Sequence, residues 1–219
     1  MFKTEELFDL SHTAAKDLFE AEEEPFEALK KIKDGISEIV KSGVYTEISP
    51  GVYVAEEVTI AESATVLPPT VIGKNTEIRP GAYIRGSAII GEGCVIGNST
   101  EIKNAIIFDG VQIPHYNYVG DSILGYKSHM GAGAIASNFR LDHANIVIKD
   151  GESRIETGLR KLGTLLGDFA EVGCGSVLSP GTVIGRKTII YPLSHVSGTV
   201  GERLVFKQGK TKPRNDLKE

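Results

Sequence analysis

Every sixth residue from Val54 to Ile102 is valine or isoleucine: Val54, Ile60, Val66, Ile72, Ile78, Ile84, Ile90, Ile96 and Ile102. Four residues after each of the first eight stands a small or β-branched side chain, namely Val58, Ala64, Thr70, Thr76, Ala82, Ala88, Cys94 and Thr100. Glycine often follows the aliphatic directly, as at Gly73, Gly91 and Gly97. A period of six matches neither the 3.6 of a helix nor the 2 of a lone strand. It matches a chain that turns a corner every six residues, the pattern of a β-helix of hexapeptide repeats. One such rung cannot bury its aliphatic alone, but rungs stacked about 4.8 Å apart bury a continuous column.

The repeat places the domain boundaries. Residues 1–43 do not repeat. Phe26, Leu29, Ile32, Ile36, Ile39 and Val40 fall on one face at helical spacing, with Pro25 at the start and Gly43 at the stop. A shorter helix is expected from Ser11 to Glu20, capped by Ser11. Together they read as an N-terminal helical cap over the open end of the solenoid. Residues 44–201 are solenoid. The register slips by one at Ile107, Ile113 and Val119, and again at Leu124 and Met130. Residues 139–163 break it outright and read as an insertion carrying a hairpin, with the turn at Lys149-Asp150-Gly151. Such a hairpin needs a neighbour for its edges, either a lip of the same chain or another subunit. Leu166, Val172, Leu178, Ile184, Ile190 and Val196 then resume the period. At three corners per coil, twenty such hexads predict between six and seven coils. Residues 202–219 form a basic tail expected to fray.

Composition narrows the class further. The 219 residues carry a net charge of −5, which gives no general attraction to nucleic acid or an acidic membrane. Tryptophan is absent, as suits a narrow core of Val and Ile. Cys94 and Cys174 lie far apart without metal-ligand spacing, which predicts a reduced, cytoplasmic protein. No apolar run is long enough to cross a membrane as a helix, and no signal-peptide layout opens the chain.

Several words of sequence are more specific than the repeat: Arg79-Pro80-Gly81-Ala82, Glu101-Ile102-Lys103-Asn104-Ala105, His115-Tyr116-Asn117-Tyr118-Val119-Gly120-Asp121, Gly131-Ala132-Gly133, Asn138 and Leu166-Gly167-Asp168. They resemble the acetyltransferase domain of the bifunctional enzymes that make UDP-N-acetylglucosamine. Short relatives labelled as UDP-N-acetylglucosamine pyrophosphorylase-related, with an N-terminal helical segment, are closer still. The resemblance implies a left-handed parallel β-helix, a homotrimer, and transfer of acetyl from acetyl-CoA to the amine of an amino-sugar phosphate such as glucosamine-1-phosphate.

The resemblance makes His115 the general base, and the chemistry agrees, since a neutral imidazole titrates near working pH and can take the amine's proton. It implies that Arg79, Lys103 and Tyr118 grip the sugar phosphate through charge-assisted bonds. Asn138 and Lys161 match further substrate-pocket positions, and Ala132, Cys174 and Pro192 match the acetyl-CoA groove. Asp121 is close enough in sequence to orient a ring. Two departures fall near the pocket: His129 stands where the family has Asn, and Phe139 where it has Tyr. The 139–163 insertion has no counterpart of that length. A nucleotidyltransferase would need a glycine-rich phosphate loop, which residues 1–43 lack; a nucleotidyltransferase-related subunit or a non-catalytic solenoid that binds a nucleotide sugar or a protein are the alternatives.

Overall fold

The computed structural model describes residues 3–20 and 24–215, and its body is the expected parallel β-solenoid. Short strands stack in register on three faces. On face A the inward column runs Val54, Ile72, Ile90, Ile107, Leu124, Leu166, Ile184, Val200. On face B it runs Ile60, Ile78, Ile96, Ile113, Met130, Val172, Ile190, Phe206. On face C it runs Val66, Ile84, Ile102, Val119, Ala136, Leu178, Val196. The middle of each column is fully buried; burying one such aliphatic contributes about 1.5–3 kcal/mol.

There are eight rungs on faces A and B, more than the six to seven coils expected. The count from sequence missed Ala136, whose side chain is too small to register as a repeat. It also missed Val200 and Phe206, which follow a corner shortened to four residues. Leu204–Lys207 stacks on Ile189–Ile190, and Lys210–Pro213 turns back on it antiparallel. The tail expected to fray is thus strand as far as Pro213, while residues 216–219 lie outside the described residues. At the other end Thr46–Ser49 folds back antiparallel on Val52–Val54. Each end of the solenoid therefore closes with a turned-back strand.

The small residues of the repeat sit at the corners and satisfy backbone groups there. Thr76 Oγ1 donates to the Gly91 carbonyl at 2.7 Å and accepts from Cys94 N at 3.0 Å. Close stacking leaves no room for a side chain at Gly97, where a Cβ would lie 1.5 Å from the Pro114 carbonyl oxygen. Burial pushes the Cys94 thiol up to about 12, so it is an inert core residue.

The N-terminal segment corrects two expectations. Residues 11–20 do not form one helix. They form 3₁₀ turns at Leu10–His12 and Lys16–Leu18, and the cap is Asp9, whose Oδ1 accepts from Ser11 N at 3.0 Å and Ser11 Oγ at 2.7 Å. Isolated helices this short gain little, so tertiary packing sets the conformation. Pro25–Lys31 is also 3₁₀ and runs into the α-helix Ile32–Ile39; Gly43 stops the following turn at φ +77°.

Nor does the segment cap the open end. It lies along the side of the solenoid against face A. There it covers outward-pointing aliphatics, Ile89, Ile106 and Ile123, all at most 1% exposed. The cue was present in the sequence: only on face A is the inward aliphatic repeatedly preceded by a second aliphatic, at intervals of 17 or 18 residues before the insertion.

The insertion is a hairpin, Val147–Asp150 paired with Ser153–Glu156, Val147 opposite Glu156. Its neighbour is the same chain. Ile146 and Ile148 are buried against the upper rungs of face A, where a Cβ on Gly181 would meet Ile146 at 2.7 Å.

Candidate functional site

Two corners carry the residues singled out in the sequence. The first joins faces B and C. His115 lies in register with Asn98, and its carbonyl accepts from Gly133 N. One turn on, the Ala132 carbonyl accepts from Gly175 N, and then the Cys174 carbonyl accepts from Leu193 N, each at 2.8–3.0 Å. His115, Ala132, Cys174 and Pro192 therefore occupy the same corner position on four successive turns. His115 is exposed, and among the described residues its ring has no partner. Asn117 holds the loop by accepting from His115 N at 3.1 Å and donating to Gly131 O at 2.7 Å. Tyr116, at φ +51°, makes the bend.

The second corner joins faces C and A, and its centre is Asp121. This carboxylate is nearly fully buried and accepts from Lys103 Nζ at 2.8 Å, Asn104 Nδ2 at 2.8 Å and Asn138 Nδ2 at 2.5 Å. Asn138 Nδ2 also donates to Tyr118 Oη at 3.1 Å. Burial pushes the Tyr118 phenol above its ordinary range. Asn104 and Asp121 both adopt left-handed φ, +48° and +49°, which their short polar side chains tolerate. Asp121 thus organises an amide–ammonium cluster, where the sequence suggested that it orients a ring. The signal that could have found the cluster is a polar residue recurring at 104, 121 and 138, where the same corner elsewhere holds Gly86 and Pro180.

The structure brings Lys103, Tyr118 and Asn138 together and leaves two expected partners aside. Arg79 sits at the B–C corner, its Nη2 2.9 Å from Glu77 Oε2, two turns before His115. Lys161 is exposed and pairs through its backbone with Phe139, while Leu162 N donates to the Asn138 carbonyl. His129 lies on the outside of face B, with Nδ1 2.9 Å from Glu171 Oε2. Phe139 packs edge-on against His143 at the root of the insertion.

Asp168, part of the quoted Leu166-Gly167-Asp168 word, has a different part. Its Oδ2 accepts from Asp9 N at 2.8 Å and lies 3.1 Å from Arg186 Nη2; its Oδ1 accepts from Tyr126 N at 2.8 Å. It fastens the N-terminal segment to the A–B corner. Burial raises its carboxyl, opposed by those backbone donors.

Fold and corners together define a hexapeptide-repeat β-solenoid. Its homologues are bifunctional sugar-1-phosphate nucleotidyltransferase/acetyltransferases of the GlmU type. The bifunctional sugar-1-phosphate nucleotidylyltransferase/acetyltransferase of Sulfurisphaera tokodaii is 38% identical over 112 residues, 51% of this chain and 28% of that protein. The bifunctional protein GlmU of Methanococcus maripaludis (strain C5) is 35% identical over 124 residues, 55% of this chain and 30% of that protein. The chain thus matches less than a third of the length of these relatives. The family described as the EIF2B subunit epsilon LbH domain matches residues 49–153. Among solved structures, the acetyltransferase domain of PglB from Neisseria gonorrhoeae in complex with acetyl coenzyme A aligns over 84% of this chain and 66% of that one, at 13% identity and a TM-score of 0.39.

Proposed function

We propose that this chain transfers acetyl from acetyl-CoA to the amine of an amino-sugar phosphate, of which glucosamine-1-phosphate is the simplest. The observation that carries the reading is the shared corner of His115, Ala132, Cys174 and Pro192. It supplies an exposed, unpartnered imidazole at the head of a ledge whose other members match acetyl-CoA groove positions. His115 takes a proton from the amine as its nitrogen forms the bond to the thioester carbonyl carbon. The C–S bond then breaks and the CoA sulfur leaves as the thiol, taking the proton that His115 accepted from the amine. Lys103, Tyr118 and Asn138 form the acceptor's polar wall, and Arg79 and Lys161 take no part in it. In this reading the protein works as a homotrimer in the cytoplasm.

A second reading has its own support. It is a non-catalytic solenoid that binds a nucleotide sugar or a protein; the family matched at residues 49–153 is described as the EIF2B subunit epsilon LbH domain and not by a transferase activity. Thiol release from acetyl-CoA in the presence of amino-sugar phosphates separates the two. Turnover that disappears in His115→Ala supports the enzyme; no turnover with any amino sugar supports the binding solenoid.

A further inference from the structure

The A–B corner repeats one position on every turn, three residues after the inward aliphatic of face A. On the last four turns that position holds Lys127, Phe169, Lys187 and Arg203, all at left-handed φ between +52° and +59°. Phe169 N donates to Tyr126 O, Lys187 N to Asp168 O and Arg203 N to Arg186 O, so the run is stacked turn on turn. The same position on the first four turns holds Glu57, Asn75, Gly93 and Gly110, and no cation. Positive charge is thus gathered at one end of this edge. Residues 186–214 carry seven lysines and arginines and one acid, Glu202, in a chain of net charge −5.

A cavity of about 270 Å³ opens at this corner. Lys187, Arg203 and the Phe169 ring line it from the solenoid, and His12 lines it from the N-terminal segment. The His12 ring stacks on Tyr126 at 3.6 Å, and Phe169 stands edge-on to Tyr126 at 5.3 Å. The charges in the cavity are unequally engaged. Arg186 lies 3.1 Å from Asp168, which two backbone N–H groups also hold. Asp9 accepts from Ser11, and His12 lies 3.9 Å from it. Among the described residues the Lys187 and Arg203 side chains have no carboxylate partner; the Lys187 ammonium lies 5.9 Å from the Phe169 ring centre. Glu202 is the exposed acid between them and offsets one of the two. Two unengaged cations on turns about 4.8 Å apart suit one anion with several acceptor oxygens, each cation donating to a different oxygen.

We infer that this cavity is a binding site for the phosphate group of a small molecule, with Lys187 and Arg203 as its donors and the Phe169 ring against the rest of the ligand. The volume falls just below that of sites for drug-sized ligands, so it suits a phosphate with a small body. The site lies at a different corner from His115 and from the Asp121 cluster. Its occupant is therefore a second ligand, neither donor nor acceptor of the proposed transfer. Because His12 comes from the N-terminal segment, the cavity is complete only while that segment is docked, and occupancy fastens the segment to the solenoid.

Calorimetry on the full chain at pH 7.5 and constant ionic strength tests the site with inorganic phosphate and phenyl phosphate. The expected result is saturable binding of at least one probe, weakened about tenfold in Lys187→Gln and in Arg203→Gln. Lys210→Gln removes a charge from the same basic stretch but not from the cavity, and should leave binding unchanged. Tighter binding of phenyl phosphate supports an organic monoester as the ligand; equal or tighter binding of inorganic phosphate supports the free ion. Absence of saturable binding by either probe overturns the inference. So does binding unmoved by Lys187→Gln and Arg203→Gln, or weakened as much by Lys210→Gln as by them.

Discussion

Asp168 Oδ2 accepts a hydrogen bond from the backbone N–H of Asp9 at 2.8 Å, across 159 residues of sequence. The same carboxylate holds Tyr126 N and faces Arg186. One buried side chain thus ties the N-terminal strap to two turns of the solenoid. Asp168→Ala leaves two backbone donors and a guanidinium without their partner, and buried partners left unpaired are costly. We expect a loss of about 2–4 kcal/mol, read as a lower urea midpoint at pH 7.

The same group sets a pH dependence. Burial raises the folded-state carboxyl above its ordinary value. The folded state therefore holds the proton more tightly, and this contribution to stability is present below the ordinary carboxylate pKa and is lost as pH rises through the raised value. The stability of the parent relative to Asp168→Asn should fall across that window and level off above it. Urea titrations of both proteins from pH 3.5 to 7 read the difference; a difference that grows with pH would refute the sign.

Ile106 belongs to the outward column of face A under the strap and is fully buried. Ile106→Ala should cost about 2–4 kcal/mol by lost transfer energy plus cavity. Its counterpart on face C, the exposed Ile135→Ala, should cost far less in a monomer. A large loss at Ile135 would show that face C is covered by another subunit, and light scattering should then give the trimer mass.

Lys103→Ala removes the ammonium from a carboxylate that is nearly fully buried. The lysine is itself partly solvated, which reduces the cost to about 1–3 kcal/mol. If the cluster also holds the acceptor, KM for a phosphorylated amino sugar should rise more than KM for the unphosphorylated amine. Equal rises would leave Lys103 a purely structural partner of Asp121.

His115→Ala should lower kcat by roughly 10²–10⁴ with little change in KM. Its fold should be intact, because the ring has no partner to lose. The variant's residual rate should keep only the pH dependence of the amine acceptor, so the pH profiles of parent and variant should differ. Near-parental turnover by His115→Ala would remove it as the base.

The six-residue period determined the solenoid, because an aliphatic every six residues has no other way to leave water. It also placed the break in the repeat and the end of the N-terminal segment at Gly43, but the hairpin turns at Gly151-Glu152, with Lys149 and Asp150 still in its first strand opposite Arg154 and Ser153. What it left open were interactions between distant residues. The period located Ile106 and Ile123 without saying that residues 25–39 would cover them, since a second aliphatic has no address until the rungs are stacked. His115, Ala132, Cys174 and Pro192 are up to 77 residues apart, and only the stacking of turns of unequal length, with the insertion looped out between Ala132 and Cys174, brings them to one corner. Asp121 was legible as an acid near a histidine. Only the tertiary structure, by stacking 104, 121 and 138 at one corner of successive turns, made it the partner of Lys103 and two amides.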